Sequence, residues 1–333
     1  GRFYNISAYR QAYIYSTGNS ERRENMEFYP EGMNAELDRQ FTTPEALRRA
    51  MMQGSILESR VLLCDREHNL HVDLGAMRGI IPREEGAVGI DDGTVRDIAL
   101  ISKVGKRVCF SILGFQREDD GPFTAILSRR AVQLRCKAEF LDTLEPGDVI
   151  PARVTHLEKF GAFIDVGAGL NALIPIDMLS VSRIDHPRAR LREGQELRVV
   201  LRSREPDKLT FSLKELLGTW MENASWFHPG ETVRGEVRSV KEYGSFIELA
   251  PNLSGLADAR EDLRPGDGVS VYIKSIRPER MKIKLQVIEK LPPLAEPEPL
   301  RYQITDGVLD RWVYSPAGYE KPAVETVFTA EDP

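Results

Sequence analysis

The feature that most constrains this chain is an internal repeat with a constant offset of 83 residues. Residues 147–154 align with 230–237, and residues 159–165 align with 242–248, without a gap between the two blocks. Self-similarity that keeps one register over this length predicts tandem copies of a single folding unit.

A weaker third copy precedes these two: residues 71–76 match residues 163–168, and a second short match follows after a one-residue shift. The copies lie near residues 54–127, 145–212 and 228–288. The predicted domains are an N-terminal extension that ends in a helix (1–53), a degenerate first barrel plus linker helix (54–144), a second barrel plus linker helix (145–227), a third barrel (228–290), and an acidic, Pro-rich tail with a hairpin signal (291–333).

Each copy has the residue pattern of short β-strands. Ile164 and Val166 are apolar and alternate with Phe163 and Asp165, and a period of two is typical of a half-buried strand. Five such strands in about 70 residues suit a small Greek-key barrel. The predicted fold class is therefore mainly β, with tandem five-stranded oligonucleotide-binding (OB) barrels joined by short helices.

The two connectors between copies have helical periodicity, over residues 128–144 and 213–227. We interpret them as struts that set the angle between barrels; as an alternative or in addition, they cap the barrel bottoms. Trp220 and Trp226 stand at helical spacing in the second connector and are predicted to lie in an interdomain core.

Both termini carry local signals. Thr42 and Glu45 form a capping-box pattern that opens a helix running to about Gln53, whereas residues 1–41 give no assignment. Residues 291–299 predict a stiff extended linker. A turn signal at 306–307 suggests a hairpin, and Trp312 and Tyr314 suggest that this part of the tail docks onto the barrels.

Composition narrows the class of protein. The net charge is −6, but the tail from residue 291 carries eight acids and three bases, so the global sign does not exclude a phosphate-binding face. The three cysteines, Cys64, Cys109 and Cys136, predict buried thiols in a reducing cytosol rather than ligands of an iron–sulfur cluster. No apolar stretch is long enough for a membrane span. We expect a cytoplasmic protein without a cofactor or metal.

Residues 160–165, preceded by Gly147 and followed by residues 209–214, resemble the S1 RNA-binding domain, an OB-fold module of a small-subunit ribosomal protein. The resemblance covers all of the second copy, most of the third and little of the first. With residues 176–187 and 217–220, the whole chain looks like the three-copy members of this family of the clostridial kind.

The family's RNA face has two aromatic residues around the glycine turn, a histidine on the third strand, and an acid and an arginine in or near the next loop. The resemblance implies that Phe160 and Phe163 are the aromatic pair of the second copy, and Tyr243 and Phe246 that of the third. Three positions depart from the family pattern: Pro175 and Asp258 replace the histidine, and Ala189 stands at the position of the loop acid. The first copy has His68 and His71 at the aromatic positions, which predicts weak RNA binding.

Bases stack on such rings while cations hold the phosphates, and each stacked base contributes about 1–3 kcal/mol. The candidate RNA-binding cations flank the rings of the second and third copies: Arg153, Lys159, Arg183, Arg188, Arg190, Arg238 and Lys241. Arg192 extends this basic segment.

No catalytic residues are predicted. The chain has neither a phosphate-binding P-loop nor a nucleophile elbow, and the repeats occupy residues 54–290. The sequence favours a non-catalytic, translation-associated protein that binds single-stranded mRNA at the small ribosomal subunit. The alternative is a protein-interaction scaffold on the ribosome, or on an RNA-decay or transcription complex, with little direct RNA contact.

Overall fold

The computed structural model describes residues 13–15, 28–34, 43–117, 121–206 and 208–328. The first described element is β1 (Tyr13–Tyr15), which pairs with the tail. The first unit contains α1 (Pro44–Gln53), β2 (Leu57–Cys64), β3 (Leu70–Asp73), β4 (Arg78–Ile81), α2 (Ile98–Ile101), β5 (Arg107–Arg117) and β6 (Phe123–Ser128). The second contains α3 (Arg129–Glu139), β7 (Val149–Glu158), β8 (Gly161–Asp165), β9 (Asn171–Pro175), β10 (Glu196–Glu205) and β11 (Lys208–Ser212). The rest comprises α4 (Trp220–Ala224), β12 (Thr232–Lys241), β13 (Gly244–Ala250), β14 (Leu253–Ala257), β15 (Gly268–Arg277), β16 (Lys282–Leu291), β17 (Leu309–Val313) and β18 (Glu325–Val327).

Three closed five-stranded barrels confirm the predicted fold class. Their strand orders are β2-β3-β4-β6-β5, β7-β8-β9-β11-β10 and β12-β13-β14-β16-β15, so all three share one topology. Each barrel closes through one parallel pair between its third and fifth strands and is otherwise antiparallel. Alternate residues point inward and form a separate apolar core, because a closed sheet hides one face of every strand.

The N-terminal helix forms as expected, but its cap differs from the prediction. Thr43, not Thr42, caps α1 by accepting a hydrogen bond from the Ala46 N–H at 3.2 Å, and Thr42 lies outside the described residues. Gly54 ends the helix in the left-handed region at φ 62°. Pro44 directly after the cap fixes this start, because its missing N–H needs no partner in the first turn.

The first connector is helical, and the second is only partly so. Ser128 caps α3, which packs Val132 and Cys136 into the core beside the second barrel. The second connector is a short 3-10 turn and the five-residue α4, separated at Gly218 with φ 94°. The chain turns there, so the prediction of one continuous helix over residues 213–227 is wrong.

The first and second barrels are joined through the segment 28–34. The Glu31 carboxylate accepts hydrogen bonds from Arg129 at 2.6 and 3.0 Å and from Lys103 at 3.0 Å, and all three side chains are largely buried. The Glu31 N–H donates to Asp165 at 2.7 Å. Although burial opposes ionisation, Arg129 and Lys103 hold the pKa of Glu31 at about 2. Residues 28–34, which the sequence left unassigned, therefore connect the first two barrels through the ion pairs and the hydrogen bond of Glu31.

The second and third barrels are joined through Glu248, which lies 83 residues after Asp165 and is therefore its equivalent in the repeat. Arg190 makes a two-pronged ion pair with Glu248 at 2.6 and 2.9 Å, and both side chains are buried. Around it, Ser182 and Ser254 share a hydrogen bond of 2.7 Å. Equivalent positions in the second and third barrels, Asp165 and Glu248, thus make the contact to the part of the chain that precedes each barrel.

The tail folds back over this second junction. The Tyr302 hydroxyl accepts from the Arg198 N–H of the second barrel at 3.1 Å, and the Tyr314 hydroxyl donates to Asn252 O of the third at 2.7 Å. Trp312 and Tyr314 are buried, which confirms that the tail docks. The predicted hairpin at residues 306–307 is wrong: residues 307–309 pair instead with the start of β7, and β17 forms a sheet with β18 and β1.

Candidate nucleic-acid interface

Two pairs of aromatic rings stand on the outer faces of the second and third barrels. Phe160 and Phe163 have ring centroids 5.9 Å apart at an interplanar angle of 89°, and Tyr243 and Phe246 repeat this arrangement at 6.3 Å and 89°. Phe160 is 56% exposed and Tyr243 is 69% exposed. Phe163 and Phe246 are half-buried, so neither ring belongs to a barrel core.

A glycine between the two rings of each pair lets the third strand approach. A Cβ atom at Gly161 would lie 2.4 Å from the carbonyl oxygen of Ile174, and one at Gly244 would lie 2.5 Å from that of Ala257. Both distances are to backbone atoms that cannot move aside cheaply. The aromatic–glycine–small–aromatic pattern therefore places two rings on one surface while the sheet stays closely paired.

The register extends this surface across the third barrel. Phe246 lies opposite Leu256 on β14, and Leu256 lies opposite Lys284 on β16. All three side chains are outside the core, and the described residues contain no hydrogen-bond or ion-pair partner for the Lys284 side chain. Lys284 was not among the predicted cations, although the alternation of lysine with apolar residues at the start of β16 already predicts that its side chain points outward.

In the second barrel the side chain opposite Phe163 is His156 on β7, beyond a β-bulge. Its ring nitrogens lie 2.7 Å from Glu158 and 3.1 Å from Glu193. The hydrogen bonds to these carboxylates raise the pKa of His156 above its ordinary value. The titratable side chain of His156 therefore lies next to the Phe163 ring. This neighbour could not be predicted from the sequence, because the β-bulge between Val154 and His156 sets the register of the two strands.

Four of the predicted cations have side chains that are free to meet a polyanion. They lie on the turns next to the rings and in the segment after β9, they are all exposed, and no ion-pair partner is found for them in the described part of the chain: Lys159, Arg183, Arg188 and Lys241. Arg192 is also exposed but pairs with Glu296 of the tail.

The other three predicted cations are engaged within the protein. Arg190 is 5% exposed and is held by Glu248, and Arg238 donates to the same carboxylate at 2.7 and 3.0 Å. Arg153 donates to the Glu31 carbonyl oxygen at 2.9 Å in the first junction. A guanidinium already bound in this way cannot also contact phosphate without breaking the junction, so these three residues are not part of the surface that we propose below.

The first barrel lacks the aromatic surface. His71 occupies the position equivalent to Phe163, and it pairs with Asp65 at 2.9 Å. His68 pairs with Asp97 at 3.4 Å. The hydrogen bond from His71 holds the pKa of Asp65 below its usual value, which keeps a negative charge at this site. The expectation that this copy binds RNA weakly thus has a physical basis: histidines paired with carboxylates stand where the other copies have aromatic rings.

The cysteines, the possible metal ligands and the helices were considered as other functional features. Cys109 and Cys136 are buried and Cys64 is half-buried, all three as free thiols, and burial raises the pKa of each. Within the described ranges there is no cluster of three or more His, Cys, Asp or Glu side chains that could hold a metal ion. No helix in these ranges combines the length and apolar character needed to cross a membrane.

Comparisons with known proteins agree with this architecture. The family model of the S1 RNA-binding domain matches residues 143–213, which span the second barrel. The chain is 30% identical over 266 residues to the small ribosomal subunit protein bS1 of Staphylococcus haemolyticus, covering 74% of this chain and 65% of that protein. It is 30% identical over 254 residues to the bS1 homolog of Bacillus subtilis, covering 70% and 64%.

Among solved structures, a multidomain protein with nucleic acid binding domains from Streptococcus pneumoniae shares 15% identity at a TM-score of 0.25, covering 71% of this chain and 74% of that one. The chain spans slightly less than two thirds of the length of the bS1 proteins quoted above, 65% and 64%. The matched domain, the identity to these relatives and the repeated barrels agree: the chain belongs to the S1-type family of RNA-binding-domain proteins.

Proposed function

We propose that this protein binds single-stranded RNA along the outer faces of its second and third barrels, without a chemical step. The observation that carries the proposal is the aromatic pair that recurs with the same geometry in both barrels. Every base has a π-face, so such rings hold unpaired nucleotides with little regard to sequence. A base-paired strand offers no free faces, because its bases stack on one another.

The charges beside the rings support a polyanionic ligand. Lys159 stands directly before Phe160, and Lys241 stands two residues before Tyr243; neither lysine has a carboxylate partner among the described residues. Lys284 adds a third free cation on the same outer face, where Leu256 of β14 lies between it and Phe246. Each phosphate contact releases condensed counterions, which lowers the slope of log affinity against log salt by about 0.7 for single strands.

A binding assay tests this proposal. Fluorescence anisotropy with a labelled single-stranded RNA should give saturable binding that unlabelled single strands compete and duplex RNA does not. The double variant Lys159→Ala/Lys241→Ala should make the salt dependence shallower by about 1.4, the sum of two phosphate contacts. The matched control is Arg48→Ala/Arg49→Ala, which removes two exposed cations from α1. Equal competition by duplex RNA would contradict the proposal.

The family and the bS1 relatives support a more specific role: mRNA binding in translation, in the cytoplasm, at the small ribosomal subunit. Co-sedimentation of the full chain with small subunits, with and without mRNA, tests this step separately. Binding to RNA without co-sedimentation would leave an RNA-binding protein of another complex and would refute the ribosomal role.

A further inference from the structure

A cavity of about 490 Å³ lies between the second and third barrels. Its walls come from the segment 188–190 after β9, from the end of the second connector at Trp226 and Phe227, from β12 and β13, and from the tail at residues 293–303. The volume falls in the range of roughly 300–1,000 Å³ that is usual for ligand sites. The cavity is not part of the aromatic surface described above.

Trp226 lines this cavity and is 49% exposed, whereas Trp220 and Trp312 are 2% and 1% exposed. The structure therefore overturns the prediction that Trp226 lies in an interdomain core, because α4 ends at Ala224 and Trp226 lies beyond the end of the helix. The Arg301 guanidinium covers the ring at 4.4 Å from its centroid. Half of the Trp226 surface stays exposed despite this cation–π contact, which leaves a ring on which a base can stack.

The cavity has an excess of positive charge without a carboxylate partner. Arg188, Arg234 and Arg301 have no such partner in the part of the chain that the structure describes. Arg234 donates one N–H to the Pro292 carbonyl oxygen at 2.6 Å, which leaves its other N–H groups for a ligand. Of its four acidic residues, three are already bound by arginine and only Glu298 is not, and the bound ones are Glu236, Glu248 and Glu296. Arg190 in the cavity wall also has a buried Nε without a hydrogen-bond partner among the described residues. This balance favours a ligand that is both aromatic and anionic.

The position of the cavity connects it to the aromatic surface. Glu248 in its wall follows Phe246 by two residues on β13, which is about 7 Å along a strand. On its other side, Arg188 belongs to the free cations that follow the third strand of the second barrel. The cavity therefore adjoins the strand that carries a ring of the third barrel, and its rim includes a free cation of the second barrel.

We propose that the cavity is a third nucleotide-binding site, in which one base of the same single-stranded RNA stacks on Trp226 beside Arg301. Arg188 and Arg234 hold the flanking phosphates, and the strand crosses between the barrels here. The proposal rests on the RNA-binding function argued above and adds a site to it. The acidic, Pro-rich segment of the tail forms the outer wall of this crossing point.

Intrinsic fluorescence tests the site directly, because Trp226 is the one exposed tryptophan of the three in the chain. Addition of a short oligouridylate to the full chain should quench tryptophan emission with the same midpoint as anisotropy. Trp226→Phe should abolish the quenching but keep most of the affinity, whereas Trp226→Ala should weaken binding by about 5- to 150-fold. Arg234→Ala serves as a second variant that leaves the fluorophore in place, and it should weaken binding by about tenfold at low salt.

Two results would overturn the inference while leaving the proposed function intact. One is RNA binding by anisotropy with unchanged tryptophan emission and unchanged affinity of Trp226→Ala. The other is quenching by uridine monophosphate with the same affinity as by the oligomer, which would assign the cavity to a free nucleotide. Absence of any RNA binding by anisotropy would instead refute the proposed function, and this inference with it.

Discussion

Removing Phe163 and Phe246, singly and together, is the sharpest test of the aromatic surface. Each ring is outside its barrel core, so Phe163→Ala and Phe246→Ala should leave the fold intact. Each substitution removes one stacked base and should cost about 1–3 kcal/mol of binding free energy. At about 1.4 kcal/mol per factor of ten, the loss of affinity is roughly 5- to 150-fold for each variant.

The double variant separates two modes of binding. The rings lie in different barrels and share no contact partner, so their free energies should add, giving a loss of about 2–6 kcal/mol, if one strand spans both barrels. If each barrel binds its own strand, each single variant should instead halve the stoichiometry and leave the affinity of the other site unchanged. Neither variant should alter the salt slope, because neither removes a phosphate contact.

The assay is fluorescence anisotropy at fixed salt with labelled single-stranded RNA, together with a stoichiometric titration. Phe123→Ala is the matched control, since Phe123 is an exposed phenylalanine on the outside of the first barrel and belongs to neither pair. Circular dichroism confirms folding of each variant. Affinities of both single variants and the double variant within roughly twofold of the parent would refute the stacking argument.

Three further predictions concern the junctions and the barrel walls. Arg190→Ala leaves Glu248 with Arg238 as its remaining cation and should lower the free energy of unfolding by about 2–4 kcal/mol, measured by urea denaturation; an unchanged midpoint would show that the junction is not coupled to folding. Burial and the Glu31 carboxylate raise the pKa of Asp165 to about 7, so the folded state holds a proton that the unfolded state releases. Stability should therefore fall as pH rises from about 4 to 7, and Asp165→Asn should flatten this part of the thermal-denaturation profile; a profile that is flat in the parent would contradict the shift. Gly161→Ala should cost about 1–3 kcal/mol of stability, because its Cβ meets the Ile174 carbonyl; thermal melts at parent-like stability would mean that β9 can shift.

The sequence determined the barrels and their ring positions. Inward and outward positions alternate along a strand, so the pattern around Phe163 was enough to predict a ring outside the core. The offset of 83 residues then transferred that prediction to Phe246 without further information. These are local properties, set by residues close to one another along the chain, and the structure agrees with them.

Tertiary structure alone decided which cations are free and what lies between the barrels. Nothing near Arg190 in sequence marks it as different from Arg188, yet one is buried against Glu248 and the other is exposed. The carboxylate that neutralises Arg190 is 58 residues away, so which charge is neutralised depends on how two barrels pack rather than on local spacing. The exposure of Trp226 also could not be predicted from helical spacing, because α4 buries Trp220 but ends at Ala224, so that Trp226 lies beyond the helix.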